Sequence, residues 1–343
     1  MLTVYTDTHR RHDSRGEIFR GKLVPTFEMP RRADTVLARV RETRLGEVLA
    51  PEPFGTDPIL KIHSAELVGF LESAWDRWSG EQGDWDAIPG TWPAPCMRRV
   101  LPRCVSAQLG YYCFDTSTPI MAGTWIAARA AVDVALTAQK RVAGGEKAAF
   151  ALCRPPGHHA ARDYYGGYCF LNNAAIAAQA FRDQGASRVA VLDVDYHHGN
   201  GTQSIFYQRS DVFYLSLHGD PAEEYPYFLG YAEETGEGSG EGFNANYPMP
   251  AGTGWARYGE ALADAIRRMG AYGPDAIVIS LGVDTFKADP ISKFKLESED
   301  YIKIGAMIAG LGRPTLFVME GGYAVAEIGL NTVNLLSGFE GRG

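Results

Sequence analysis

Residues 189–198 read VAVLDVDYHH, an apolar run that ends in two aspartates and two histidines. The run is short, rich in valine and does not alternate with polar residues, which is typical of a strand buried on both faces. In open parallel sheets, ligands bind beyond the carboxyl ends of the strands. The four polar side chains therefore predict a functional site at the end of this strand.

Apolar runs of the same kind recur along the chain and are separated by helical patterns. We predict strands in residues 2–5, 148–153, 188–194, 211–217, 275–281 and 314–320. We predict helices, from their periodicity and their flanking Asn and Gly residues, in residues 125–145, 172–186 and 258–273. The alternation predicts the α/β class, as a multi-stranded parallel sheet with helices on both faces.

Two long stretches interrupt this alternation. Residues 76–123 are rich in proline, glycine and aromatic residues without a sustained period, and residues 219–256 are rich in glycine and glutamate. Connections of this length are usually functional loops or interaction surfaces. We expect the first stretch to be an insertion within a single domain that spans residues 1–343.

The composition argues against several classes of partner. The chain is 45% hydrophobic and carries a net charge of −8, so a basic surface for nucleic acid is not expected. No apolar stretch approaches the length of a membrane span. The five cysteines are irregularly spaced and the first residues lack an apolar signal segment, which predicts a reducing, cytoplasmic location without disulfides.

A cation site is expected where two of the predicted strands end. Asp193, Asp195 and His197 share one side of an extended chain, because side chains alternate there with period two. Asp195 and His197 can grip one cation, and Asp284 at another strand end is the expected third ligand. Two carboxylates and an imidazole with an open position are typical of a catalytic metal site. We expect one Zn²⁺ per subunit, with Fe²⁺ and Co²⁺ as alternatives; a salt-bridged strand end is the competing interpretation.

Three further side chains suggest proton transfer and oxyanion stabilisation. His158 and His159 follow two prolines and a glycine, a stiff turn that can hold both rings in place. Asp193 and Asn200 are the expected partners that orient the two rings. Tyr323 follows two glycines in EGGY, and we expect its hydroxyl to donate to a developing oxyanion.

Two tyrosines near the predicted site leave two interpretations open. Tyr168 lies in GGYCF, next to Gly167, and Tyr225 lies in EEYPYF. The two rings would either line a channel for an alkyl chain or serve as ordinary packing residues.

Six motifs of this chain together resemble the zinc-dependent deacetylases of the arginase/deacetylase fold: RPPGHH, GGYCFLNNAA, LDVDYHHGNGTQ, SLHGD, SLGVDTFKADP and MEGGYAVAEIG. The resemblance covers nearly the whole chain and is strongest to the bacterial acetylpolyamine amidohydrolases. It implies hydrolysis of acetylated polyamines or diamines, such as acetylputrescine, acetylcadaverine and acetylspermidine, to acetate and the free amine. It also implies a homodimer in which the insertion at residues 76–123 narrows the entrance to the active site.

The resemblance also implies roles for individual positions. The implied metal ligands are Asp195, His197 and Asp284. The implied catalytic side chains are His158, His159 and Tyr323, of which His159 is the general base and acid. The implied substrate channel is lined by Gly167, Tyr168 and Tyr225. The implied K⁺ site is formed by Asp193, Asp195, His197, Ser216 and Leu217. Asn200 stands where many relatives carry an aspartate, which would lower the basicity of His159.

Some features of the sequence keep other functions open. Relatives that select polyamines often carry acids in the insertion, whereas residues 101–120 hold one acid, Asp115. A short acetylated diamine or another small N-acetyl amide is therefore an alternative substrate, and an acetyl-lysine protein is a further one. A binuclear ureohydrolase would need acids where this chain has Gly199 and Gly282. A non-catalytic acetylpolyamine-binding protein is disfavoured, because every expected catalytic group is present.

Overall fold

The computed structural model describes residues 1–342, and most of the strands in this part of the chain join a single sheet. The strands are β1 (Leu2–Val4), β2 (Glu17–Phe19), β3 (Lys22–Val24), β4 (Val48–Leu49), β5 (Ala148–Ala151), β6 (Val189–Asp193), β7 (Val212–Gly219), β8 (Asn244–Met249), β9 (Ala276–Leu281) and β10 (Thr315–Met319). Eight of them form a sheet in the order β4-β1-β5-β10-β9-β6-β7-β8, and β2 and β3 form a separate antiparallel hairpin.

The helices connect the strands of the large sheet. They are α1 (Arg31–Glu42), α2 (Asp57–Leu60), α3 (Ala65–Gln82), α4 (Val105–Tyr112), α5 (Thr124–Ala143), α6 (Asn173–Asp183), α7 (Asn200–Phe206), α8 (Trp255–Tyr272), α9 (Asp300–Ala309) and α10 (Ile328–Phe339). Within residues 1–342, none of these helices has both the length and the apolar character that a membrane crossing requires.

Every neighbouring pair in the large sheet is parallel, so the carboxyl ends of its strands lie at one edge. The central strands are buried along their whole length, because helices cover both faces. One apolar core packs α3, α4, α5 and α6 against one face, and a second packs α1, α8, α9 and α10 against the other. The predicted fold class is therefore confirmed.

Local signals set the ends of several helices. The Asn172 side chain accepts a hydrogen bond from the Ala175 amide at 2.9 Å and begins α6. The Ser64 hydroxyl accepts from the Leu67 amide at 3.3 Å and begins α3. Helix α8 ends at Gly273, whose φ of 64° lies in the left-handed region.

The structure differs from the prediction in the two long stretches. Residues 76–123 contain the end of α3 and the whole of α4, which has only eight residues and is too short to show a helical period. Residues 219–256 contain β8, which reads NANYPM and lacks the apolar run of the other strands. Strand β8 lies at the edge of the sheet, where its proline and asparagines are tolerated.

Candidate active site

The predicted metal ligands meet at the carboxyl edge of the sheet. Asp195 and His197 follow β6, Asp284 follows β9, and their ligand atoms lie within 4.8 Å of one another. His197 Nδ1 is 2.9 Å from Asp284 Oδ2 and 3.4 Å from Asp195 Oδ1. All three residues are buried.

The charges of these three side chains favour a cation between them. Burial and the neighbouring charge of Asp195 raise the pKa of Asp284 to about 7. Burial alone lowers the pKa of His197, but its hydrogen bonds to Asp195 and Asp284 outweigh burial and raise that pKa to about 10. Two buried carboxylates therefore depend on positive charge beside them, and the two oxygens and one nitrogen fit a divalent ion such as Zn²⁺.

The tandem histidines lie side by side, and their environments differ. Their ring centroids are 4.0 Å apart. His158 Nδ1 is 3.0 Å from Asp193 Oδ2, whereas His159 Nδ1 is 2.6 Å from the amide oxygen of Asn200. One imidazole is thus oriented by a carboxylate and the other by a neutral side chain.

This difference in partners separates the two histidine pKa values. Burial alone lowers the pKa of His158, but the carboxylates of Asp193 and Asp195 outweigh burial and raise it to about 10. Burial and the positive charges of His158 and His197 hold the pKa of His159 well below its usual range. The pair therefore combines a charged imidazole with a neutral one, which suits proton transfer by the neutral ring.

Asp193 connects His158 to the neighbouring strand. Its Oδ2 also accepts a hydrogen bond from the Tyr214 hydroxyl at 3.0 Å. Across the β6–β7 ladder it stands opposite Ser216, whose Oγ is 2.8 Å from His218 Nδ1, and Leu217 follows in the buried part of β7. The structure thus brings Ser216 next to Asp193, and the K⁺ site stays a prediction.

Tyr323 follows β10 and is 8% exposed. Burial raises the pKa of its hydroxyl well above the usual value, so the group stays a hydrogen-bond donor. The Arg32 guanidinium lies 4.8 Å from the centre of the tyrosine ring. The same guanidinium donates to the carbonyl oxygens of Glu320 and Gly322, each at 2.6 Å, and so holds the chain that leads to Tyr323.

Two of the predicted catalytic side chains, His159 and Tyr323, line a cavity of about 320 Å³. The ionisable side chains in its lining include His159, His197 and Tyr323, and its walls include Tyr168 and Tyr225. Gly167 lies beside the same space, where a Cβ would collide with the His159 ring and lie 2.9 Å from the Tyr225 hydroxyl. The structure thus brings the predicted channel residues next to the predicted catalytic ones.

Acidic side chains and a threonine fix the two tyrosine walls. The Tyr168 hydroxyl donates to Glu17 at 2.8 Å, and its amide donates to Thr118 Oγ1 at 2.8 Å. These bonds hold Tyr168 at a φ of 66°, a conformation that a non-glycine residue seldom adopts. Asp115 Oδ2 accepts from the Tyr225 hydroxyl at 2.9 Å and from the Gly167 amide at 2.8 Å. Both hydroxyls are thereby bonded to acidic side chains, and the two rings are held in place as walls of the cavity.

A second group of buried side chains, His158, Cys169 and Glu320, also has its ligand atoms within 4.8 Å of one another. The Cys169 thiol donates to the Gly167 carbonyl at 3.2 Å. Burial raises the thiol pKa well above its usual value, so the thiolate that a metal needs is disfavoured. This arrangement favours packing as the role of Cys169.

Comparison with known proteins identifies the family. Residues 26–338 match the family model described as the histone deacetylase domain. The chain belongs to the histone deacetylase family. Acetylpolyamine amidohydrolase 1 of Pseudomonas aeruginosa is 60% identical over 343 residues, which cover 99% of each chain. The acetylpolyamine amidohydrolase of Mycoplana ramosa is 52% identical over 341 residues, covering 99% of this chain and 100% of that one.

A solved structure gives the same result. The crystal structure of acetylpolyamine aminohydrolase from Burkholderia pseudomallei matches with a TM-score of 0.95 and 40% sequence identity, covering 100% of this chain and 99% of that chain. The resemblance, the fold class and the enzyme class predicted from the six motifs are therefore confirmed. As a member of the histone deacetylase family, this chain is an amide hydrolase of the deacetylase type.

Several residues that support the site of this histone deacetylase family member were not predicted from the sequence. Glu320 is buried, and its Oε2 accepts from the amides of Gly157 and His158 at 2.6 and 3.2 Å. A signal existed for Glu320, because it directly follows the apolar run of β10 in EGGY. Glu17 lies in β2 and Arg32 in α1, and the local sequence of neither element indicates a contact with the site. Only the folded chain reveals their contacts with Tyr168 and the EGGY loop.

Proposed function

We propose that this chain is a zinc-dependent enzyme that hydrolyses the acetyl amide of small acetylated diamines and polyamines, releasing acetate and the free amine. One observation carries the proposal: a buried cluster of two aspartates and a histidine adjoins a neutral imidazole and a tyrosine hydroxyl at a narrow aromatic cavity. Relatives 60% and 52% identical over nearly the full chain carry the name acetylpolyamine amidohydrolase, which supports this substrate class.

Asp195, His197 and Asp284 would hold the metal ion. When bound, a divalent ion of this kind polarises an amide carbonyl and lowers the pKa of a water molecule. The charge of the cluster and its mixed oxygen and nitrogen donors support Zn²⁺, with Fe²⁺ and Co²⁺ as alternatives.

His159 accepts the proton of the attacking water, because its imidazole is neutral. It then returns this proton to the nitrogen of the leaving amine. Asn200 holds the ring through Nδ1, which directs the free Nε2 away from Asn200 and makes it the proton acceptor. His158 stays charged beside Asp193 and provides electrostatic support for the negative charge that develops during attack.

Tyr323 donates its hydroxyl to the developing oxyanion. Burial keeps the hydroxyl protonated, and the ring is held between Arg32 and Tyr168, whose ring centroid lies 5.5 Å away. Removal of one oxyanion donor typically lowers turnover by about 10²–10³-fold. We therefore expect Tyr323→Phe to lower turnover by about 10²–10³-fold without changing the shape of the cavity.

The acids around the cavity support a short substrate. Of the described residues that line it, Asp115 and Glu224 are acidic. Asp115 already accepts hydrogen bonds from Tyr225 and Gly167, and Glu224 is paired with Lys293. Neither carboxylate is uncommitted, so a long chain with several ammonium groups gains little from them. An acetylated diamine needs fewer such contacts.

A side-by-side assay tests the proposed function. The zinc-loaded enzyme is given acetylputrescine, acetylcadaverine, acetylspermidine and an acetyl-lysine peptide, and acetate release is measured as kcat/KM. We expect the acetylated diamines to rank first, no release after chelation, and recovery when zinc is added back. Tyr323→Phe serves as the control with strongly reduced turnover. Preference for the acetyl-lysine peptide would assign the enzyme to protein deacetylation instead.

Three further properties belong to the same proposal. We infer a homodimer built on the insertion at residues 76–123, a K⁺ ion near Asp193, Ser216 and Leu217, and a cytoplasmic location. The five cysteines are all free, which supports a reducing compartment. Elemental analysis and mass measurement in solution test the ion and the dimer.

A further inference from the structure

A single buried carboxylate accepts hydrogen bonds both from the tyrosine loop and from a residue that lines the substrate cavity. Asp289 lies in the segment that follows Asp284, and it is 7% exposed. Its Oδ2 accepts hydrogen bonds from the amides of Tyr323 at 2.7 Å and Ala324 at 3.2 Å. Its Oδ1 accepts from the amide of Ile291 at 3.1 Å, and Ile291 lines the cavity.

The backbone at Tyr323 depends on such contacts. Residues 320–324 lie in neither a helix nor a strand. The Glu320 amide and the Gly321 carbonyl still pair with the backbone of the β9 segment, but the Tyr323 amide lies beyond this ladder and needs another acceptor. Arg32 holds the carbonyl oxygens of Glu320 and Gly322, and Asp289 holds the amide of Tyr323 itself. The position of the phenol hydroxyl follows from these bonds, because the side chain starts at the residue that Asp289 fixes.

Burial of a charged carboxylate is unfavourable, and for Asp289 the opposing contribution comes mainly from hydrogen bonds with backbone amides. Burial raises the pKa of Asp289 to about 6, and the amides of Tyr323 and Ile291 oppose that shift. Asparagine would fill the same volume without a charge, but it offers a single acceptor oxygen. The carboxylate satisfies three amides on two sides, which a neutral side chain of the same size cannot do.

We propose that Asp289 is a positioning residue that places Tyr323 for oxyanion stabilisation and, through Ile291, shapes the wall of the substrate cavity. This inference rests on the proposed function, because it assumes that Tyr323 takes part in amide hydrolysis. Asp289 itself does not touch the substrate in this scheme. Its effect on turnover should pass through the tyrosine.

A double-mutant cycle tests this dependence. We expect Asp289→Ala to lower kcat by about 10²-fold, since misplacing a catalytic group by about 1 Å has that effect. In the Tyr323→Phe background the same substitution should lower kcat little further, because residues that act as a unit are not additive. An equal loss of kcat in both backgrounds would overturn the proposal, as would wild-type kcat in Asp289→Ala.

A conservative variant separates positioning from a general loss of structure. In Asp289→Asn, we expect the amide oxygen to face the Tyr323 and Ala324 amides, so that kcat stays close to the wild-type value. The NH₂ group then faces the Ile291 amide, and KM for acetylputrescine should rise. Two results would contradict the positioning role of Asp289: an Asp289→Asn enzyme with unchanged kcat and KM, or one with kcat as low as in Asp289→Ala.

Two measurements keep the possible failures apart. Bound zinc and the thermal midpoint are determined for each variant, and the zinc content should stay at the wild-type level if Asp289 acts through Tyr323. Zinc loss in Asp289→Asn would mean that Asp289 supports the metal cluster instead, and would overturn the proposal. Unchanged kcat in Tyr323→Phe alone would remove the tyrosine from the mechanism, which is a failure of the proposed function and not of the Asp289 contacts.

Discussion

At the scale of single residues, backbone amides hold the carboxylates of the predicted metal site. The Gly321 amide donates to Asp195 Oδ2 at 2.8 Å, and the Tyr196 amide donates to Asp284 Oδ1 at 2.7 Å. Gly282 lies against the same Asp195, and a Cβ built on it would come within 2.6 Å of Asp195 Cα. The segments that carry Gly282 and Asp195 therefore approach so closely that position 282 requires glycine.

This crowding predicts the effect of adding one methyl group. Gly282→Ala should displace Asp195 and weaken zinc binding by about tenfold to hundredfold, the range typical of residues that support metal ligands. Competition with a chelator measures the affinity. Gly69→Ala in α3 is the matched control, because a Cβ there meets no atom within 4 Å. Equal zinc affinity in both variants would contradict the crowding argument.

The neutral partner of His159 predicts a change in pH dependence. In Asn200→Asp a carboxylate would replace the amide oxygen that lies 2.6 Å from His159 Nδ1, and its charge stabilises the protonated imidazole. The pKa of His159, now held low by burial and by neighbouring positive charge, should rise. Since a base must be deprotonated to act, the acid limb of the kcat/KM profile should move to higher pH.

A charge-free substitution provides the comparison for this shift. Asn200→Ala removes the hydrogen bond to His159 without adding a negative charge. Its acid limb should not move upward, although its kcat should fall because the ring is no longer oriented. If the acid limb of the kcat/KM profile lies at the same pH in Asn200→Asp and the wild type, His159 is not the base whose protonation limits the rate at low pH.

At the scale of elements, one buried cluster joins the segment before α1, helix α1, the end of β5 and the loop after β10. Glu28 Oε1 accepts from Arg32 and from Arg154, each at 2.7 Å. Arg154 also donates to the carbonyl of His9 at 2.8 Å, and Arg32 donates to the EGGY loop. All three charged side chains are at most 3% exposed.

Removal of the single acid should leave two buried cations without a counter-charge. We expect Glu28→Ala to lower the free energy of unfolding by about 3–5 kcal/mol, the usual effect of breaking a buried ion pair. Urea denaturation followed by circular dichroism measures this loss. Glu52→Ala, which breaks the exposed pair with Lys140, should change stability little. Comparable losses in the two variants would contradict this role for the cluster.

At the scale of the whole molecule, the sequence predicts those parts of the site that depend on strand ends. An apolar strand precedes each of three site residues, Asp195, Asp284 and Tyr323. Parallel pairing brings the carboxyl ends of these strands to one edge of the sheet, independently of the loop conformations. Glu17, in the β2–β3 hairpin, and Asp289, in a loop, were not predicted, because their contacts depend on how these segments pack onto the finished sheet. Strand β8 was missed for a related reason, since an edge strand has no need of an apolar run.

Residues 76–123, the predicted insertion, offer a test of how the whole molecule assembles. Several large apolar side chains in residues 85–101 are exposed, among them Met97 at 61% and Val100 at 57%. Exposed apolar residues that cluster in one segment favour contact with another protein surface, and a second copy of this chain is the partner that the family resemblance implies. By light scattering, we expect the wild type to be a dimer and the double variant Met97→Glu/Val100→Glu to be a monomer.

Dissociation should also change substrate preference. Because the dimer contact would narrow the entrance to the active site, the monomer should gain activity on an acetyl-lysine peptide relative to acetylputrescine. Leu60→Glu, at an exposed position outside the insertion, should remain dimeric, and a monomeric wild type would contradict the role of this segment.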